Sequence, residues 1–151
     1  MQLARRARLR TIATARGDED VAFVRELGAD TMVDAGRERF EDVARDADAA
    51  LDLVGGETQT RSFQVLRRGG ALISAVSAPD PELARRHGVD ARFFLVNVTT
   101  RTLTEIAELI DAGALRTRVG TVLPLAEARE AHLVLDGKRR AAKGKLVLRV
   151  D

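Results

Sequence analysis

Two apolar runs flank a helical stretch near the middle of the chain. Ala50-Leu51-Asp52-Leu53-Val54 is stopped by Gly55-Gly56, and Ala71 to Val76 follows Gly69-Gly70. Between them, Phe63 and Leu66 stand three apart with Val65 beside them, so Glu57 to Leu66 reads as a helix. The pattern predicts strand, turn, helix, turn, strand, with Arg67-Arg68-Gly69-Gly70 as the helix stop. Neither run alternates with polar residues, as expected of parallel strands covered on both faces.

The same reading extends along the chain. Gln2 to Arg8 predicts a short helix with no N-cap and no strand before it, which implies a missing upstream element. Leu9 to Ala15 is a strand, and Asp18 is placed to cap a helix over 19–27 that ends at Gly28. Thr31 to Asp34 is a short strand, Arg37 to Ala44 a short helix and Asp48 to Val54 the next strand. Pro79 and Pro81 mark a loop, and Ala91 to Val98 is another buried strand. Thr102 with Glu105 reads as a capping box for a helix to about Ala112, closed by Gly113. A strand over 118–123, a helix after Pro124 to about Leu135 and a strand over 145–150 complete the chain. Strands alternating with helices predict an α/β fold, with five strands in one doubly wound parallel sheet. The expected division is 1–113 for that domain and 114–151 for a strand-helix-strand segment.

Composition narrows the function classes. At 151 residues, 45% hydrophobic and 32% charged, the chain is long enough for a buried core. No run reaches the roughly 20 apolar residues of a membrane span, and no apolar signal region follows the basic N-terminus, so a cytoplasmic location is expected. With no cysteine there is no disulfide, thiolate zinc site or cysteine nucleophile. His87 and His132 have no second ligand at metal spacing, so no metal is expected; His132 reads as a core or half-buried helix residue and His87 as solvated. The pI near 9.6 reflects 22 arginines against 3 lysines, with a net charge of only +2. The arginines are spread out and Phe is the sole aromatic type, which argues against nucleic acid.

In an open parallel sheet, ligands bind beyond the carboxyl ends of the strands. Those ends here are Thr14-Ala15-Arg16, Val54-Gly55-Gly56, Ala75-Val76-Ser77 and Leu95-Val96-Asn97. Ala15 stands where an NAD-binding fold places an acid, and Arg16 next to it suits a 2′-phosphate. Arg16 also reads as one surface arginine among many, and Asp18 and Glu19 would oppose a phosphate unless they point away. Gly55-Gly56 would let a cofactor approach the backbone, or would simply form a tight turn. Asp52 reads as a hydrogen-bonded structural carboxylate. No catalytic residue is assigned: no Ser-His-Asp grouping or carboxylate pair emerges. A methyltransferase using S-adenosylmethionine would need an acid where Ala15 stands.

Several segments resemble the C-terminal half of a medium-chain dehydrogenase/reductase of the zinc-independent, quinone oxidoreductase-like branch. They are Gln2-Leu3-Ala4-Arg5, Leu27-Gly28-Ala29-Asp30, Leu51 to Thr58, Leu66 to Ser74, Leu109 to Gly113, Leu123 to Ala128 with Ala131-His132, and Gly144 to Leu148, in the family's order and spacing. The resemblance implies a Rossmann-like fold and NADP(H)-dependent hydride transfer to a small quinone or enone, without zinc. It implies that Ala15 and Arg16 lie near the adenosine 2′-phosphate, and that Val54, Gly55, Ala75 and Val76 line the ribose and nicotinamide. Phe94, Leu95 and Val96 would lie near the nicotinamide, on a strand that often builds the dimer, and Lys145 would reach the cofactor as in some members. Asn97 to Thr100 departs from the family's usual loop there. The chain has no G-x-G-x-x-G, and the strand before that loop and the catalytic domain are absent. The expected product is therefore an incomplete cofactor-binding part that self-associates; the alternative is a non-catalytic oligomerising or binding remnant.

Overall fold

The computed structural model describes residues 1–150 and divides into two compact units, Met1–Thr100 and the chain from Arg101 onward. In the first, α1 (Gln2–Arg6), β1 (Ile12–Ala15), α2 (Asp18–Glu26), β2 (Thr31–Asp34), α3 (Phe40–Val43), β3 (Ala47–Asp52), α4 (Gly56–Ser62), β4 (Leu66–Ser74), α5 (Pro81–His87) and β5 (Asp90–Phe93) alternate. All strand pairs are parallel, as the helix between each two strands requires. The α/β expectation holds.

The five strands do not join in one sheet. β1 pairs with β2, and β3, β4 and β5 form a second sheet in that order. Among the described residues, β1, β2, β3 and β5 therefore each keep one edge without a strand neighbour. The expectation that both central runs are covered on both faces is corrected as well: it holds for β4, where Leu72 and Ser74 are fully buried, and fails for β3, where Leu51 is 64% exposed.

Two small cores hold the unit together. Phe63, Leu66, Leu72 and Val89 pack under β3, β4 and α5. Val33, Phe40, Ala44 and Val65 join β2 and α3 to the 3-10 turn over 63–65. Arg61 on α4 strengthens that second junction. Its guanidinium lies 5.1 Å from the Phe40 ring centroid and 3.5 Å from the Glu41 carboxylate. Burial pushes the Glu41 carboxyl up, but its own backbone N–H, Arg39 and Arg61 more than offset this and hold it below the usual value.

Four further expectations need correction. Arg67 to Gly70 do not stop a helix; they lie inside β4, where the register against β3 shifts. Gly69 takes a φ of +75°, and a Cβ on Gly70 would stand 2.9 Å from the Arg67 carbonyl. The glycines thus form a bulge, the other role a strand glycine plays. The loop expected at Pro79 and Pro81 contains α5, with Asp80 accepting hydrogen bonds from the Glu82 and Leu83 backbone N–H groups, Pro81 at its first position and Gly88 left-handed at its end. His87 is accordingly not solvated but half-buried, its ring 5.8 Å from that of Phe63. Finally, the strand expected over 91–98 is only Asp90–Phe93.

The second unit contains α6 (Thr100–Asp111), which begins two residues before the expected cap, β6 (Val119–Pro124), α7 (Ala128–Leu135) and β7 (Lys145–Arg149). β6 and β7 pair in parallel. His132 on α7 is exposed, not half-buried. No helix among the described residues is long and apolar enough to cross a membrane.

Candidate functional site

The carboxyl ends of β3 and β4 are tied together by one buried carboxylate. Asp52, the last residue of β3, accepts at Oδ1 from the backbone N–H groups of Val54 (3.0 Å) and Gly55 (2.8 Å). Its Oδ2 accepts from Ser74 Oγ, at the end of β4 (2.8 Å), and from Gln59 Nε2 on α4 (2.9 Å). Ser74 Oγ in turn accepts from the Val76 and Ser77 N–H groups, and Gln59 also donates to the Ser77 carbonyl. Burial pushes the Asp52 carboxyl up, but the Gly55 and Val54 N–H groups, the Ser74 hydroxyl and the Gln59 amide more than offset this and hold it below the usual value.

This clamp ends β3 at Asp52 and turns the chain, so that Leu53 and Val54 face outward, both about two-thirds exposed. Gly55 is required at the turn. Its φ of +78° and ψ of −169° belong to glycine, and a Cβ there would stand 3.1 Å from Val76 Cγ1. The structure therefore brings Val54 and Gly55 together with Ala75 and Val76 at one strand-end ledge, of which Val76 is exposed and Ala75 half-buried.

A second carboxylate works in the same way at the first sheet. Asp34 ends β2, and its Oδ1 accepts from the N–H groups of Gly17 (3.2 Å) and Gly36 (2.9 Å), joining the turns after β1 and β2. Those two N–H groups hold its carboxyl below the usual value. Ala15 is half-buried and Arg16 exposed beside this turn, with Arg16 Cγ 3.5 Å from a Cβ built on Gly36. Arg37 reaches the same corner, 3.5 Å from Asp34 and ion-paired with Asp18. Asp18 thus has a cation of its own.

Asp34 and Arg37 were not among the sequence candidates. The acid closing Thr31-Met32-Val33-Asp34 before Ala35-Gly36 was a readable signal for the first. The pairing of Arg37 with Asp18, 19 residues earlier, had none.

The Phe94 N–H donates to the Ser74 carbonyl (3.0 Å), which fixes Phe94 next to the same ledge. Leu95 and Val96 follow it, 80% and 69% exposed. Lys145 is an exposed residue at the start of β7, in the second unit.

The family-model comparison identifies residues 27–148 as a zinc-binding dehydrogenase. The chain belongs to the zinc-binding dehydrogenase family. It is 28% identical, over 99% of its length, to "Probable zinc-binding oxidoreductase, mitochondrial" of Arthroderma benhamiae, of which it spans 47%. It is 25% identical, over 91% of its length, to "NADPH-dependent alkenal/one oxidoreductase, chloroplastic" of Arabidopsis thaliana, of which it spans 33%. Among solved structures, the quinone oxidoreductase of Coxiella burnetii superposes with a TM-score of 0.87 at 28% identity, over 99% of this chain and 48% of that one. The fold is thus Rossmann-like, and this member of the family spans at most about half the length of these relatives. The family name implies zinc, but the residues present do not fit it. Among the described residues no three His, Cys, Asp or Glu side chains converge to hold a metal.

Proposed function

We propose that this chain is the nucleotide-holding part of an NADP(H)-dependent oxidoreductase acting on a small quinone or enone. The observation that carries the reading is the Asp52 clamp, which joins Val54-Gly55 to Ala75-Val76 at adjoining strand ends. Strand ends are where a parallel sheet receives a nucleotide. In this reading the ledge and Phe94 to Val96 receive the ribose and nicotinamide, while Ala15, Arg16 and Arg37 receive the adenosine 2′-phosphate. The cofactor, when bound, supplies the hydride. The chain's own residues orient the nicotinamide and, through Arg16, select the phosphorylated form. The pyrophosphate contacts and the substrate walls come from groups outside this chain, so the chain alone is not catalytically complete. A cytoplasmic location belongs to the same proposal.

Calorimetric titration tests the reading. NADPH should bind weakly, with a Kd of about 0.1–1 mM, and NADH at least about tenfold more weakly, the margin expected for losing one charged hydrogen-bonded contact. Arg16→Gln should erase the difference between the two. Equal binding of both nucleotides, or no heat with either, would overturn the proposal.

One observation favours the second reading, a part that self-associates without catalysis. The exposed surface is 10905 Å², whereas two independent globular bodies of these sizes would expose about 9,000 Å². Among the described residues, β1, β2, β3 and β5 also keep unpaired edges. Both readings expect a homo-oligomer. Light scattering should give a mass above 16.4 kDa that grows with concentration, and a clean monomer at all concentrations would sink this part.

A further inference from the structure

At the amino end of β1, away from the strand ends just described, lies an open depression of about 520 Å³. It is lined by Arg5, Arg8, Leu9 and Arg10 on one side and Gly28, Ala29 and Asp30 on the other. We propose that it is a binding site for a small anion carrying phosphate groups, separate from any nucleotide site at the carboxyl ends of the strands.

Charge comes first. The chain from Met1 to Gly17 contains no Asp or Glu, and Arg5, Arg6, Arg8 and Arg10 crowd its first ten residues. Asp30 is the one acid in the depression, and its carboxylate is already engaged. Its Oδ2 accepts from the Thr11 N–H (2.7 Å) and the Thr11 hydroxyl (2.9 Å), and Arg10 adds to its stabilisation. Arg5 and Arg8 have no carboxylate partner among the described residues. Two guanidinium groups are thus left uncompensated in one concavity, and guanidinium matches phosphate oxygens bidentately. The volume suits a small metabolite.

The backbone supplies an independent observation. α1 ends in two hydrogen bonds, from the Arg8 N–H to the Arg5 carbonyl and from the Leu9 N–H to the Ala4 carbonyl. This places Arg8 in the left-handed region, with φ +57°. Such a position normally carries glycine, because a Cβ there is strained. An arginine at this point gives up local stability and gains a guanidinium at the rim. Gly28 contributes in the opposite sense. With φ +92° and no side chain, it lets Arg5 lie across it, since a Cβ on Gly28 would stand 2.5 Å from Arg5 Nη1. One exposed arginine sits where glycine would be easier, and one glycine makes room for the other arginine. β1 separates the depression from Arg16 by about 10 Å of extended chain.

The test uses the whole chain, inorganic pyrophosphate as the probe, and calorimetry at low ionic strength. One site with a Kd of about 0.1–1 mM is expected, weakening steeply with added salt. Arg5→Gln/Arg8→Gln should weaken it at least tenfold, while Arg16→Gln and Arg85→Gln/Arg86→Gln should leave it unchanged. Arg8→Gly supplies the control for folding, because it should melt no lower than the parent yet bind several-fold more weakly. Absence of binding up to about 10 mM would overturn the proposal. So would undiminished binding by Arg5→Gln/Arg8→Gln, or an equal loss on changing Arg16 or the Arg85-Arg86 pair.

Discussion

Asp52→Ala is expected to lower the stability of the first unit by about 3–4 kcal/mol, more than any surface substitution in the chain. The reason is accounting of partners. Asp52 receives four donors, and the residue is 5% exposed. Removing the acceptor leaves the Gly55 N–H and the Ser74 hydroxyl short of a partner in a place water reaches poorly, and an unsatisfied buried donor costs about 1–3 kcal/mol. Asp52→Asn should cost less, about 2 kcal/mol, because Oδ1 still serves the two backbone N–H groups while the new amide faces the Gln59 amide donor to donor. Urea unfolding of the three proteins measures both. A loss under about 1 kcal/mol for Asp52→Ala would mean that the turn after β3 holds without its carboxylate.

The same residue makes the unit acid-sensitive. Its carboxyl is held below the ordinary value of 3.8, so the folded state binds its proton less readily than the unfolded chain does. Its stabilisation is therefore complete above pH 3.8 and disappears as the pH falls below that, through the depressed value. Asp34 and Glu41, also depressed, act in the same direction. The acid limb of the stability curve should flatten in Asp52→Asn.

Much of this arrangement was legible in the chain, and the illegible parts have a common cause. Thr31 to Asp34 and the helix ending at Gly28 follow from local pattern, since β-branched and apolar residues and a left-handed glycine act within a few positions. Asp80-Pro81-Glu82 is equally local: the two prolines point to a loop, but Asp80 between them is a cap and Pro81 suits the first turn of the helix it starts. The bulge at Gly69-Gly70 depends on how close the Ala47 and Asp48 carbonyls come, which is a matter of register and not of spacing. The exposure of Leu51 depends on what packs over that face of β3, and an apolar run cannot report whether a cover is there. In the same way, Asp52 was readable as a bonded carboxylate, while its partnership with Ser74, 22 residues later, needed the β3–β4 alignment.

Phe63→Ala is expected to cost about 3–5 kcal/mol. Phe63 is 1% exposed and sits where α4 hands the chain to β4, touching Leu66, Leu72, Val89 and the His87 ring. In a large domain such a loss would be tolerable. Here the fully buried side chains are few and β3 has one bare edge, so the unit starts from a stability near the low end of the usual 5–15 kcal/mol. Phe63→Ala should consequently unfold a measurable share of molecules at 25 °C, while Phe63→Leu, which keeps most of the volume, should cost less than about 1.5 kcal/mol. Phe93→Ala, at 41% exposure, should cost under about 1 kcal/mol. Thermal melts of the three rank them. If Phe63→Ala and Phe93→Ala melt together, the packing under β4 is not what holds the Ser74 end of that strand against Asp52. The ledge would then rest on its hydrogen bonds alone, and Asp52→Ala by itself should abolish it.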